Sequence, residues 1–406
     1  MKRFLMKHSF TRKVLVTLFF LLVFLVGRNV PIPNVAIDAF LFSEESSLGL
    51  GAAVTGGNLS QISLFSLGLG PWMYAMILSR VFNLGKKNDQ STSKKTQDRR
   101  HSTIMLIIAI IQALGIAISL DYQKSSIPKL ELIFMTSLIL IAGAFILVWI
   151  GNRISDKGIG GPSILVLVNI LLSQESLFKE GITFFENREF ILILCLIAWS
   201  LLAIFLMVLF EKAEYRIPVK RIGINNSLSE DTYMPIKINT AGGMPVMYAF
   251  SLLMLPQYLI LLLTYLYPDN PAWKKLTSFF AITSLSGVLL YMLIIFILTL
   301  SFAYMNFDTV KTAENMRKSG DYIASLRPGA TTKTYLSKIV GRLGVFSGCV
   351  MSFLASLPLL YALNDPSSQR IAMLTGIGMM IAGILLNLID EIKISRLSKQ
   401  YQTLFE

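Results

Sequence analysis

Apolar stretches recur along the chain at approximately 14–30, 60–82, 103–120, 130–150, 163–172, 190–210, 242–266, 282–305, 339–360 and 371–389, separated by polar or basic connectors. A membrane crossing needs about 20 apolar residues to span a hydrocarbon core of about 30 Å. The pattern therefore predicts an all-α integral membrane protein with ten transmembrane helices. The fifth is short unless it runs on into Ser173–Leu177. The first follows a basic stretch, Met1 to Lys13, and ends in Gly27-Arg28-Asn29-Val30-Pro31-Ile32-Pro33 with no small-residue cleavage site, so it reads as a retained helix rather than a removed signal. Two sets of five spans, 1–187 and 188–406, put an odd number in each half and force the second into inverted orientation, as in the inverted repeats of many transport proteins.

Composition agrees with this reading. The 406 residues are 54% hydrophobic and only 15% charged, with a mean hydropathy of +0.62, which argues against a soluble globular domain. The formal charge of +13 is explained by topology. With both termini cytoplasmic, the segments 1–13, 83–102, 151–161, 211–240, 306–338 and 391–406 hold 27 of the 37 Lys and Arg residues, as the positive-inside rule expects. No nucleic-acid partner is needed to account for the charge. Cys195 and Cys349 lie inside apolar runs and read as small hydrophobes.

Several chemistries are missing. Histidine occurs only as His8 and His101, both in basic inner segments, which leaves no catalytic triad and no H-E-x-x-H zinc helix. Gly49-Leu50-Gly51 and Gly68-Leu69-Gly70 fall short of a phosphate-binding loop. No catalytic residue, metal site or cofactor is expected, and energy for directed transport would come from a partner or a gradient. Span interiors carry no charge on this reading: Arg28, Arg80, Glu131, Arg342 and Asp390 fall near span ends, which disfavours an ion-coupled carrier. Polar groups within spans are Gln112, Asn169, Gln257 and Asn387, with Ser63 and Ser251 as candidates for a separable seam. Gly-Pro clusters punctuate the second, fifth and seventh spans, and Met73, Met244, Met247, Met379 and Met380 supply adaptable side chains for a constriction.

Two kinds of connector stand out. Val35 to Gly57 is too polar to span and too apolar for a solvated loop, so it is a candidate for folding back into the membrane, with a surface loop as the alternative. The inner loops 211–240 and 306–338 place cations on turns, in Arg216-Ile217-Pro218-Val219-Lys220-Arg221 and Leu326-Arg327-Pro328-Gly329. These are docking surfaces or simply topogenic charge.

The motifs resemble those of the SecY protein-conducting channel family, collinearly over nearly the whole chain. Thr55-Gly56-Gly57-Asn58-Leu59-Ser60 with Leu67-Gly68-Leu69-Gly70-Pro71-Trp72-Met73 resembles that family's second helix and its approach. Trp149-Ile150-Gly151 with Asp156-Lys157-Gly158-Ile159-Gly160 resembles its turn between helices four and five, and Pro235-Ile236-Lys237-Ile238-Asn239-Thr240-Ala241-Gly242 its entry to helix seven. Gly161-Pro162 replaces the usual Asn-Gly, and the shorter, methionine-rich chain looks like the divergent SecY of the accessory Sec system of Gram-positive bacteria.

The resemblance implies an hourglass pore between two five-helix halves, with 35–57 as an external plug. It implies a constriction of Leu69, Met73, Leu167, Met247 and Met380, with the sixth position at Ser163 or, better suited to an apolar ring, Ile164. It further implies a lateral gate with Gln112 and Ser251, and motor docking through Arg216, Lys220, Arg221, Arg327 and Lys333. The implied partners are a SecA-type ATPase, a SecE-like small membrane subunit, accessory secretion proteins, membrane lipids and preproteins with signal sequences, among them serine-rich glycosylated surface proteins. A small-molecule carrier, a membrane lipid transferase and a housekeeping SecY are the alternatives.

Overall fold

A peptide group in hydrocarbon has no water to bond, so an apolar run satisfies its own amides by coiling into a helix. The computed structural model describes residues 9–35, 57, 59, 62–84, 94–123, 127–173, 190–221, 232–267, 270, 272–323, 326–364 and 366–402. Its helices are α1 Ser9–Arg28, α2 Gly70–Leu84, α3 Lys94–Ser119, α4 Lys129–Lys157, α5 Gly161–Ser173, α6 Phe190–Lys212, α7 Met244–Leu266, α8 Ala272–Phe280, α9 Leu285–Asn306, α10 Thr309–Ser319, α11 Ala330–Tyr361 and α12 Pro366–Gln402. Three strands, β1 Glu214–Arg221, β2 Tyr233–Lys237 and β3 Asp321–Ile323, complete the architecture. Among the described residues, eight helices are long and apolar enough to cross a membrane: α1, α3, α4, α6, α7, α9, α11 and α12. The apolar helices α2 and α5 are shorter, at 15 and 13 residues. Residues 36–56 of the expected plug, and the expected boundary at 187 and 188, lie outside the described residues.

The second span departs from its expected 60–82. Residues 62–69 are turns, and the helix starts at Gly70. Pro71 has the fixed φ and missing N–H that suit a first helical turn, and Gly68 has a φ of +62°, so the chain bends there. The irregular approach is enclosed by protein. The Ile32 N–H donates to the Ile62 carbonyl at 3.3 Å and the Leu64 N–H to the Val30 carbonyl at 3.1 Å. Leu64's own carbonyl occupies the notch at Gly143 of α4, and the Phe65 ring lies over Gly27 of α1 and stacks with Phe24 at 6.1 Å. Ser63, a candidate for the seam, belongs here instead: its N–H donates to Ser66 Oγ at 2.7 Å.

Contacts between helices form two sets. In one, α3 packs on α2 and α4, and α4 also on α1 and α5; in the other, α7, α9, α11 and α12 pack together, with α6 against α11 and α12. The sets meet where α7 touches α2 and α3 and where α12 touches α5.

The inner loops are a folded unit rather than turns. In β1 the side chains alternate: Ile217 and Val219 are buried, while Arg216, Pro218 and Lys220 are exposed. That two-residue period belongs to a half-buried strand. β1 pairs antiparallel with β2 from its own loop (Arg216 opposite Pro235) and with β3 from the other (Val219 opposite Ile323). Ile217, Val219, Ile236, Met316, Ile323 and Leu336 make a small core beneath the sheet. Asp308 caps α10 by accepting from the Val310 and Lys311 N–H groups, and Gly320 closes it in the left-handed region.

Gly143 gives a stability test. Gly143→Val sets side-chain atoms against the Leu64 carbonyl and is expected to destabilise by about 1–3 kcal/mol, the usual range for overpacking. Gly376→Ala, whose added Cβ meets only Tyr291 Oη at 3.5 Å, should leave the melting temperature in detergent within error of the parent.

Candidate functional site

Four helices bring the expected constriction residues into one apolar core. Leu69 and Met73 stand at the start of α2, Leu167 on α5, Met247 on the first turn of α7 and Met380 on α12, and all five are buried in that core. Ile164 is partly buried against it. The Met73 N–H donates to the Leu69 carbonyl at 3.0 Å, which fixes the two on successive turns. Asn169, on α5, donates through Nδ2 to the Gly57 carbonyl at 2.8 Å. Its amide thus fastens the approach of α2 to the helix that carries Ile164 and Leu167.

The start of α5 is fixed by the turn before it. Gly160 and Gly161 both have positive φ, +87° and +51°, which glycine alone enters at little cost. The Gly160 N–H donates to Glu391 Oε2 of α12 at 3.1 Å, and Pro162 packs on Gly151 of α4. Met380 is placed by a second close approach, in which Gly243 before α7 lies against Gly383 and the Met379 carbonyl of α12. A Cβ on Gly243 would stand 2.8 Å from that carbonyl.

Beside this junction sits a residue that the sequence reading had put in a loop. Glu211 belongs to the last turn of α6 and is 5% exposed. A Cβ on Gly242 would fall 3.3 Å from both of its carboxylate oxygens, so glycine there makes room for the acid. The Glu211 Oε2 and Asn239 Oδ1 have no hydrogen-bond partner among the described residues. Glu211 thus joins the charges that fall near span ends, but as a buried one. The signal was the position of Glu211 directly after an unbroken apolar run.

At the expected seam, α3 and α7 approach closely. Gly115 of α3 faces the backbone of α7, where an added Cβ would stand 2.8 Å from the Tyr258 carbonyl. Gln112, one turn earlier, is buried beside Tyr74 of α2, which also faces Tyr258, and its Oε1 has no hydrogen-bond partner among the described residues. Ser251 is fully buried, but its hydroxyl donates to the Met247 carbonyl of its own helix at 3.1 Å. Of the two residues expected at the seam, Ser251 is thus satisfied within its own helix, and Gln112 lies beside Tyr74. Tyr74, Gly115 and Tyr258 were missed; Gly115, three residues after a buried Gln within an apolar run, was the available signal.

The docking candidates lie on the folded inner unit. Arg216 and Lys220 are exposed on β1, with the Arg216 guanidinium 4.5 Å over the Tyr233 ring. Arg327 is exposed on the turn that leads into α11, where its carbonyl accepts from the Thr332 hydroxyl at 3.0 Å, and Lys333 is exposed on the first turn of that helix. Arg221 ends β1, and its side chain lies outside the described residues. No group of His, Cys, Asp and Glu side chains able to hold a metal occurs among the described residues.

Comparisons with known proteins agree with one another. Residues 63–388 match the family model described as SecY. The chain is 43% identical over 401 residues to the accessory Sec system protein translocase subunit SecY2 of Streptococcus agalactiae serotype Ia, covering 98% of this chain and 97% of that protein. It is 34% identical to the subunit of the same name from Streptococcus gordonii, covering 98% and 99%. Among solved structures it superposes on "The structure of a protein conducting channel" with a TM-score of 0.70 at 17% identity, covering 96% of this chain and 94% of that one. For "Sec61 in the Canine ribosome-channel complex from the endoplasmic reticulum" the TM-score is 0.65 at 16% identity, with coverage of 96% and 94%.

The Tyr74 and Gln112 pair yields a second test. Gln112→Leu replaces the amide beside the buried Tyr74 hydroxyl with an apolar group and should cost about 1–3 kcal/mol. The double variant Gln112→Leu, Tyr74→Phe removes both polar groups and should recover most of that loss, read as detergent unfolding midpoints around the double-mutant cycle.

Proposed function

Because this chain belongs to the SecY family, we propose that its buried apolar constriction is the closed gate of a polypeptide pore. The chain is a protein-conducting subunit of the accessory Sec type. The observation that carries the pore reading is that Leu69, Met73, Ile164, Leu167, Met247 and Met380 are buried in or packed against the apolar core of helices that touch in sequence, α2 against α7, α7 against α12 and α12 against α5. An apolar ring opposes a stable column of water and ions, yet side chains as adaptable as methionine can yield around a passing chain.

Ten helices, with α2 and α5 as the two short ones, form two inverted halves around this pore, and the segment at Val35 to Gly57 is its plug. The lateral gate lies between α2 and α3 on one side and α7 and α9 on the other, where α7 touches α2 and α3. The gate opens cheaply, because hydrogen bonds between membrane helices average about 0.6 kcal/mol. An apolar signal helix entering between Gly115 and Tyr258 replaces that contact with its own. The termini and the β1–β3 unit face the cytoplasm of a plasma-membrane protein, and a SecA-type motor docks on Arg216, Lys220, Arg221, Arg327 and Lys333. A SecE-like subunit and accessory secretion proteins complete the machine, and serine-rich glycosylated preproteins are its cargo.

Two experiments test this. In a background lacking Cys195 and Cys349, single cysteines at Met73, Met247 or Met380 should crosslink to an arrested export substrate, while a cysteine at the exposed, membrane-facing Leu293 should not. Crosslinks absent from all three sites, with motor and substrate bound, would overturn the pore assignment. Arg327→Glu should abolish motor-driven export without lowering the melting temperature, because an exposed charge contributes at most about 1 kcal/mol to stability. Export at the parent rate would remove Arg327 from the docking surface.

A further inference from the structure

The nine residues of α8, Ala272–Phe280, lie between two gate helices and segregate sharply. At 100° per residue, Ala272, Trp273, Leu276, Phe279 and Phe280 fall on one side, and Lys274, Lys275, Thr277 and Ser278 on the other. The apolar side is itself divided. Trp273 and Phe280 are partly buried, whereas Leu276 and Phe279 remain 39% and 46% exposed. Tyr265, Leu266 and Tyr267 at the end of α7 and Leu285 at the start of α9, the two helices on which α8 packs, are exposed as well. Tyrosine beside leucine at the end of a membrane helix marks the level of the lipid headgroups. Lys275 is exposed beside Phe279, one turn away.

The far end of α8 is bound to both neighbours. Gln257 of α7, buried within its span, donates through Nε2 to the Phe280 carbonyl at 2.9 Å. From the start of α9, Ser286 Oγ donates to the Phe279 carbonyl at 3.1 Å, and Ser284 Oγ, just before it, to the Ala281 carbonyl at 2.8 Å. The backbone of Gly287 fits directly against that last carbonyl. The carbonyls of Phe279, Phe280 and Ala281, at and just past the end of α8, are thus held from α7 and from the start of α9 and the turn before it.

We propose that α8 lies in the plane of the outer membrane surface, with Leu276 and Phe279 among the acyl chains and Lys275 on anionic phospholipid headgroups, and so anchors the α7 and α9 side of the gate to that leaflet. The occupant follows from the surface: its apolar part lies on a helix packed against α7 and α9, whose ends there also expose apolar side chains, and its charged part is cationic. Such in-plane helices insert their apolar face only to the boundary between headgroup and acyl chain. The assignment to the outer leaflet, and the consequence for the gate, rest on the orientation and gate proposed above.

The test uses the full chain in vesicles, with Trp273 as sole tryptophan (Trp72→Phe, Trp149→Phe, Trp199→Phe). Bromines near the glycerol end of phosphatidylcholine acyl chains should quench Trp273 roughly twofold more than bromines near the bilayer centre. At equal mole fraction, brominated phosphatidylglycerol should quench more than brominated phosphatidylcholine, up to a roughly fivefold enrichment per lysine. Lys274→Gln with Lys275→Gln should abolish that preference and keep the shallow depth. A second reporter, Phe279→Trp in a tryptophan-free chain, reads the exposed side directly. Quenching of both reporters by aqueous iodide but by neither bromine position would overturn the membrane placement. Equal quenching by the two lipids, or a preference that survives the lysine changes, would overturn the anionic contact. None of these readouts requires cargo movement, so their failure leaves the crosslinking test of the pore intact, and the reverse holds as well.

Discussion

A peptide group that cannot reach water must find its partner inside the protein, and this chain meets that constraint most severely where it is not helical. Residues 62–69 leave helical geometry only because α1, α4 and the strand-like stretch at Val30 to Ile32 enclose them. An exposed carbonyl there would cost several kcal/mol in lipid. Gly27 and Gly143 are the price of that enclosure, since any side chain at either would collide with the approach. The constriction depends on the result, because Leu69 and Met73 take their positions from where this wrapped segment delivers the start of α2.

The same economy of side-chain volume appears where the two sets of helices meet. Gly115 admits the backbone of α7, and Gly243 and Gly383 let α7 and α12 touch. Without water between helices, their association depends on close packing and a few polar contacts rather than on hydrophobic expulsion. A seam built in this way is tight when closed and has few strong bonds to break. Gln112 and Tyr74 set its polarity, while Ser251, bonded within its own helix, contributes shape.

The spans were legible because their signal is local: twenty apolar residues determine a helix whatever lies elsewhere in the chain. The start of α2 was misread because hydropathy does not distinguish a buried turn from a buried helix, although Gly68 and Pro71 carried the information. The β1–β3 sheet escaped for a different reason. β1 pairs with β3 about a hundred residues away, and such pairing leaves only the alternation of Arg216, Ile217, Pro218, Val219 and Lys220, which was read as a cationic turn. Gln112 was identified as a seam residue but its neighbour Tyr74 was not, and Ser251 was expected beside it although a helical serine ordinarily satisfies itself on the carbonyl one turn back. α8 is too short for any span criterion, yet its segregation into two faces was there to read.

The sheet that carries Arg216 and Lys220 ties several parts of the chain together. Its central strand is bonded on one edge to the strand that runs back past the end of α6 toward α7, and on the other to the strand that follows α10. Arg327 opens α11, whose first turns share the small core under that sheet. A load applied at any of these points is distributed through the ladder to three membrane helices at once. The unit has the connectivity of a yoke: β2 touches α6 and leads into α7, and Leu336 of α11 sits in the core under the sheet, so three membrane helices share one small sheet.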